Sequence, residues 1–162
     1  HPNEQGIKWF LEECWAKIKQ STPNIEAYFA GRYMPQWLID TNIEGVHIVG
    51  EVDDSIRFMT SKQIMVVPLL SGSGIRIKII EAMSIGKTVI ATTIAAEGIM
   101  YEDKKNILIA NTPQEFADAI KYCVENPAEC KQIGEEAYKL ISEKYSNDEV
   151  VNQLLSLYEQ IQ

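Results

Sequence analysis

The stretch from Ile64 to Ile85 limits most severely what this chain can fold into. Ile64-Met65-Val66-Val67-Pro68-Leu69 is nearly all apolar, which predicts a strand buried on both faces of a sheet. Ser71-Gly72-Ser73-Gly74 follows as a small-residue turn. From about Gly74 to Ile85 the apolar residues recur at helical spacing around one carboxylate, Glu81, and Gly86 is placed to end that helix. A strand that passes through glycines into a helix suits a phosphate. Glycine lets the backbone approach the ligand closely, and the unpaired N–H groups of a first helical turn attract an anion.

The same alternation runs along the rest of the chain. Ile7, Phe10, Leu11, Cys14 and Ile18 make one apolar face of a helix over about 4–20. Strands are predicted near 25–30, 46–49, 64–68, 88–91 and 107–110, with a short helix at Gln36 to Ile39 and another capped by Asp54 and running to Thr60. Helix starts are predicted at Thr112, Asn126 and Ser146. Thr112 with Glu115 and Ser146 with Glu149 have capping-box spacing, and Pro113 and Pro127 sit at the first helical position. Val150, Leu154, Tyr158 and Ile161 then share a helical face. With no linker and no internal repeat, 1–162 reads as a single α/β domain: a Rossmann-like parallel sheet with helices on both faces. Ligands of such sheets lie beyond the carboxyl ends of the strands, where the Gly72–Gly74 turn falls.

Bulk properties narrow the partners. A chain of 162 residues, 46% hydrophobic, can bury a core of its own. A net charge of −8 argues against a nucleic-acid partner, while leaving a local basic spot at Arg76 and Lys78. The apolar runs are too short to cross a bilayer, and no leader-like segment opens the chain, which starts abruptly at His1-Pro2. Cys14, Cys123 and Cys130 lack paired spacing, so they are expected to be ordinary core or half-buried thiols in a reducing compartment, with neither zinc nor a disulfide framework.

Several motifs dissolve on inspection. Gly86-Lys87-Thr88 resembles the end of a P-loop, but Glu81 stands where that motif needs glycine, and the order is helix, loop, strand. Gly72-Ser73-Gly74 lacks the third glycine of a dinucleotide fingerprint, because position 77 is Ile77. Asp53-Asp54 reads as a turn and a helix cap before it reads as a metal site. His47 alternates within a strand and reads as structural, and Trp9, Trp15 and Trp37 as core or semi-core. Glu81 keeps two readings: an ion pair with Lys78 three residues earlier, or a carboxylate turned into a crevice to accept two hydroxyls of a ribose.

The run from Ser71 through Ile75, Glu81 and Gly86 to Thr93 resembles the donor-binding signature of the group 1 (family 4) retaining glycosyltransferases. Glu97-Gly98-Ile99, Pro2-Asn3 with Trp9-Phe10, and Gly45 through Val52 resemble the same family, so the likeness covers essentially the whole chain. The resemblance implies the C-terminal domain of a two-domain GT-B enzyme. It implies a UDP- or GDP-linked sugar as donor, no metal or other cofactor, and chemistry in the cleft against a preceding acceptor-binding domain. A chain holding only the one domain would be catalytically incomplete. The resemblance further implies a cytoplasmic parent enzyme of polysaccharide biosynthesis, peripheral at the inner face of a membrane.

Residue by residue, the resemblance makes Glu81 the ligand of the ribose diol. It places Val52, Ser71, Gly72, Ser73, Gly74 and Ile75 around the donor, and Ser73, Arg76 and Lys78 at the catalytic end. The family motif carries a second glutamate eight residues before the first, and here that position is Ser73. Two other readings stay open: a sugar-nucleotide epimerase of similar build, and a scaffold domain that kept the fold without the chemistry. In the family the sheet runs 3-2-1-4-5-6. Strand 1 would precede His1, so the segments near 25–30 and 64–68 are expected either to close on each other or to recruit another chain.

Overall fold

The structure, a computed structural model, describes residues 1–145. The predicted helix start at Ser146 and the apolar face from Val150 to Ile161 lie outside the described residues. The chain opens with α1 (Pro2–Trp9), a π-helical segment (Phe10–Cys14) and α2 (Trp15–Ser21), which follow one another in helical backbone geometry. The helix expected over 4–20 is therefore present. The π segment was not foreseen; it falls where Trp9 and Phe10, neighbours in sequence, both meet Phe116 edge-on at 5.7 and 5.9 Å.

Next come β1 (Ala27–Ala30), α3 (Gln36–Ile39), β2 (Val46–Gly50), α4 (Ser55–Thr60) and β3 (Ile64–Val67). These are followed by α5 (Ile77–Ser84), β4 (Thr88–Ala91), β5 (Leu108–Ile109), α6 (Pro113–Glu125) and α7 (Pro127–Lys144). Local chemistry explains most of the boundaries. Asp54 accepts a hydrogen bond from the Arg57 amide at 2.9 Å and starts α4. Thr112 and Glu115 form a complete capping box on α6. After α5 the Gly86 amide donates to Met83 and the Lys87 amide to Ala82, closing the helix as the glycine predicted. At α7 the Asn126 side chain does not cap; its amide donates back to the Tyr122 carbonyl.

All described strand pairings are parallel. Ala27, Tyr28 and Phe29 of β1 lie opposite Val46, His47 and Ile48 of β2. Ile64 to Val67 of β3 pair one for one with Thr88 to Ala91 of β4, and β4 continues to β5. Alternate residues then face opposite layers. Ile64, Val66, Ile90 and Leu108 pack with Phe10, Ile18, Phe116 and Ile120 on one side. On the other, Met65, Val67, Val89 and Ala91 pack with Ile79, Met83, Ala137 and Ile141. Helices thus cover both faces of β3–β5. Over β1 and β2 the second face is more open, and Tyr28 and Val49 stand exposed.

On that face Tyr28 stacks on His47 at 4.6 Å, donates from its hydroxyl to Glu26, and carries the Lys62 ammonium over its ring. The Tyr28 hydrogen bond is the main reason the Glu26 carboxyl is held below its usual range. His47 also lies 3.5 Å from the Glu26 carboxylate. Trp15 is buried, while Trp9 and Trp37 are half-buried, and all three cysteines are free and buried.

Of two alternatives for the sheet one is not realised, and one expectation needs correction. Among the described residues β1 and β3 do not pair with each other; they belong to separate sheets of two and three strands. The segments near 25–30 and 64–68 therefore have not closed up, and a cavity of about 670 Å³ lies between them. For the same reason β3, although packed on both faces, is not fully buried. Every residue of β3 is half-buried, whereas all four residues of β4 are buried. An apolar run signals burial, but the burial itself depends on a neighbouring strand.

Candidate functional site at the carboxyl edge of the sheet

Four loops meet at the carboxyl ends of the strands: those after β1, β2, β3 and β4. The last two are tied together from within. The Thr92 amide donates to the Val67 carbonyl, the Thr92 hydroxyl donates to Leu69, and the Ala95 amide donates to that hydroxyl. The Ser71 hydroxyl donates to Gln5 of α1 at 3.0 Å, which fixes the start of the glycine turn.

The helix expected from Gly74 begins later, at Ile77, with Arg76 as its extended N-cap residue. Gly72 and Gly74 have φ of +113° and +84°, values foreign to a right-handed helix, so the backbone reaches helical geometry only after them. Among the described residues the amides of Gly72, Ser73 and Gly74 make no backbone hydrogen bond, which leaves these donors for a ligand.

The turn curls over Arg76. The guanidinium donates from Nη1 to the Ser73 carbonyl at 2.6 Å, and a Cβ on Gly72 would lie 2.6 Å from Nη2. Nε and Nη2 are buried and find no partner among the described residues. Unpaired donors of a buried cation are costly, and they are satisfied best by an anion.

The sequence candidates divide between two hollows. Val52 and Lys78 line the mouth of the 670 Å³ cavity, beside Arg32, Glu51 and Pro68. Ser71 and Gly72 line a second hollow of about 370 Å³ with Thr93, Glu97, Gly98 and Tyr101. Ser73 and Gly74 sit exposed at the tip between them, and Ile75 packs against Gly98. Glu81 lies one turn along α5 from Lys78, whose ammonium bonds its carboxylate at 2.6 Å, with the Glu81 side chain 35% exposed. The ion-pair reading of Glu81 is thus realised in this structure, and its carboxylate is still open to solvent.

Two contributors were not foreseen. Arg32 pairs with Glu51 at 2.5 Å across the mouth of the larger cavity, and Gln5 anchors Ser71. The signal for Arg32 was its place just past the glycine that ends a strand; Gln5, 66 residues from Ser71, had none. Asp54 is spent on the cap of α4, and among the described residues no group of three His, Cys, Asp or Glu is placed to hold a metal ion. No helix among the described residues is long and apolar enough to cross a membrane.

The family model described as Glycosyl transferases group 1 matches residues 1–126. A curated relative, an uncharacterized 44.6 kDa protein in the cps region of Klebsiella pneumoniae, is 24% identical over 164 residues, covering 94% of this chain and 42% of the relative. Anabaena HepE in complex with UDP superposes with a TM-score of 0.72 at 20% identity, over 87% of this chain and 43% of that one. The C-terminal domain of the group 1 glycosyl transferase LpcC from Francisella tularensis gives a TM-score of 0.69 at 21% identity, over 89% and 81%. A variant of S. aureus TarM, in a complex that includes UDP, gives 0.79 at 22% identity, over 98% and 33%. The chain spans less than half the length of the curated relative it matches. It belongs to the group 1 glycosyltransferases, and its fold is an α/β domain of the GT-B kind.

Proposed function

We propose that this chain is the donor-binding domain of a retaining glycosyltransferase, and that the nucleoside diphosphate of a UDP- or GDP-sugar docks at the carboxyl edge of β3. The observation that carries this reading is the Arg76 guanidinium behind the glycine turn, with Nε and Nη2 buried and without a partner among the described residues. The diphosphate would sit against the Gly72–Gly74 amides and those donors. The ribose would fall to Glu81, whose carboxylate would exchange its bond to Lys78 for two ribose hydroxyls. Val52 and the Arg32–Glu51 edge would flank the base. UDP in the Anabaena and S. aureus neighbours supports the ligand class.

In transfer, an acceptor hydroxyl would approach the anomeric carbon from the face the diphosphate leaves, the bond from that carbon to the diphosphate oxygen would break, and the hydroxyl proton would pass to that departing oxygen. Negative charge grows on the departing diphosphate, where Arg76 and Lys78 stabilise it. With serine at position 73, a hydroxyl meets the sugar where the family pattern has a carboxylate. The acceptor would come from a preceding domain, so this chain alone would bind donor without completing transfer.

The Lys78–Glu81 ion pair favours one competing reading, a scaffold whose carboxylate is already satisfied. Thermal shift with UDP, GDP, their sugars and free uridine separates the two. Binding to the folded state raises the melting temperature with ligand concentration. A donor domain melts higher with at least one diphosphate and not with uridine; a scaffold responds to none.

A further inference from the structure

The two hollows flank the glycine turn, and a nucleotide-sugar is a linear ligand. On the reading above, its base lies beside Val52 and the Arg32–Glu51 edge, at the mouth of the larger hollow, and its diphosphate lies at the tip of the turn. The sugar is bonded to the diphosphate on the side away from the ribose. It is therefore carried past the tip toward the smaller hollow. That hollow measures about 370 Å³, within the range of small-molecule sites.

Among the described residues one carboxylate lines this hollow, that of Glu97, beside Ser71, Gly72 and Thr93. Glu97 is exposed, and it enters no salt bridge among the described residues. The loop that carries it is fixed at both ends. The Thr93 amide donates to the Asn111 side chain at 2.9 Å, and the Asn111 side-chain amide donates back to the Thr93 hydroxyl at 3.0 Å. The Ala96 amide donates to the Thr92 carbonyl at 3.0 Å, and the Met100 amide to the Tyr145 hydroxyl at 3.0 Å. A Cβ on Gly98 would lie 2.8 Å from the Ile75 side chain, so the loop is seated against the end of the glycine turn.

We propose that Glu97 determines specificity for the donor sugar and selects a neutral hexose over a uronic acid; this rests on the donor-binding reading of the turn. The Glu97 carboxylate accepts hydrogen bonds from sugar hydroxyls. It supplies, from the loop after β4, the acidic contact that Ser73 does not provide from the loop after β3. A carboxylate on the sugar would instead meet a like charge. Among the described residues no Lys, Arg or His lines the hollow to offset that repulsion, and Arg76, behind Gly72, is engaged by the diphosphate. Discrimination then combines an attraction for one class of sugar with a repulsion of the other.

Calorimetric titration of the full-length polypeptide with matched donors tests it. The probes are UDP-glucose with UDP-glucuronate, UDP-galactose with UDP-galacturonate, GDP-mannose with GDP-mannuronate, and UDP and GDP alone. The wild type should bind at least one neutral donor more tightly than its uronate partner. Glu97→Gln keeps the shape and removes the charge. It should lose about tenfold more affinity for that neutral donor than for the bare diphosphate, and the preference over the uronate should shrink by a similar factor. Tighter binding of the uronates by the wild type would overturn the proposal without any variant. So would an equal preference in wild type and Glu97→Gln, with UDP or GDP still bound; that result removes Glu97 from the sugar site and leaves the donor-binding reading standing. Binding of no nucleotide at all would overturn both.

Discussion

The Arg76 guanidinium donates to the Ser73 carbonyl at 2.6 Å while two of its other nitrogens stay buried without a partner among the described residues. A cation held this way is pre-aimed at an anion. Arg76→Ala is expected to weaken UDP or GDP binding by about 10- to 150-fold, the worth of a hydrogen bond to a charged group. Uridine, which lacks the diphosphate, should lose little. The melting temperature should hold, since the lost bond to Ser73 is offset by removal of two unsatisfied donors. Calorimetry with both ligands reads the difference, and an equal loss for both would remove Arg76 from the phosphate site.

The turn itself should be sensitive to backbone and indifferent to side chain. A Cβ on Gly74 meets nothing within 4 Å, so Gly74→Ala is penalised through its φ of +84° alone. That strain is worth about 1–2 kcal/mol. Ser73→Ala leaves the backbone as it is. Chemical denaturation and nucleotide titration should both rank Gly74→Ala as the more damaging change. The opposite order in titration would mean that the Ser73 hydroxyl, and not the amides, holds the phosphate.

The cap of α6 makes a prediction in pH. Glu115 accepts from the Asn111 amide at 2.6 Å and from Thr112 at 3.0 Å, and the Asn111 bond is the main reason its carboxyl is held below the usual range. A depressed folded value means that its stabilisation is complete above the unfolded value. It fades as pH falls through the folded one. Urea melts in the acid range should show a shallower loss of stability in Glu115→Gln than in wild type. At neutral pH, Thr112→Ala should cost about 0.5–2 kcal/mol.

Cys14 gives a local probe of opening. Burial first, then the nearby Glu13 carboxylate, pushes its thiol up to about 12. At pH 8 native Cys14 should resist iodoacetamide and react only on unfolding. Alkylation of the folded protein at the rate of a free thiol would show that the α1–α2 region opens readily.

The fold was legible where its causes are local. Asp54, Thr112 with Glu115, and Gly86 each mark an element end through a hydrogen bond made within a few residues, and the structure has those bonds. What the sequence hid is tertiary. The half-burial of β3 depends on the strand beside it, and the packing of Phe10 on Phe116 joins residues more than a hundred positions apart. The site was legible as a strand, turn and helix, and Lys78–Glu81 as a pair, because both follow from spacing. How Gly72 lies over Arg76, and which candidates share a hollow, follow from the late start of α5, which the glycine φ values decide.

The most direct test of the account is calorimetric titration of UDP and GDP into the wild-type chain and into Glu81→Ala. Glu81 is exposed enough to reach a ligand, and among the described residues its carboxylate is bonded only to Lys78. If it holds the ribose, the variant should bind about 10- to 150-fold more weakly. 2′-deoxy-UDP, which lacks one of the two hydroxyls, should discriminate less between the two proteins. Equal affinity of wild type and Glu81→Ala for UDP and for GDP would contradict the account.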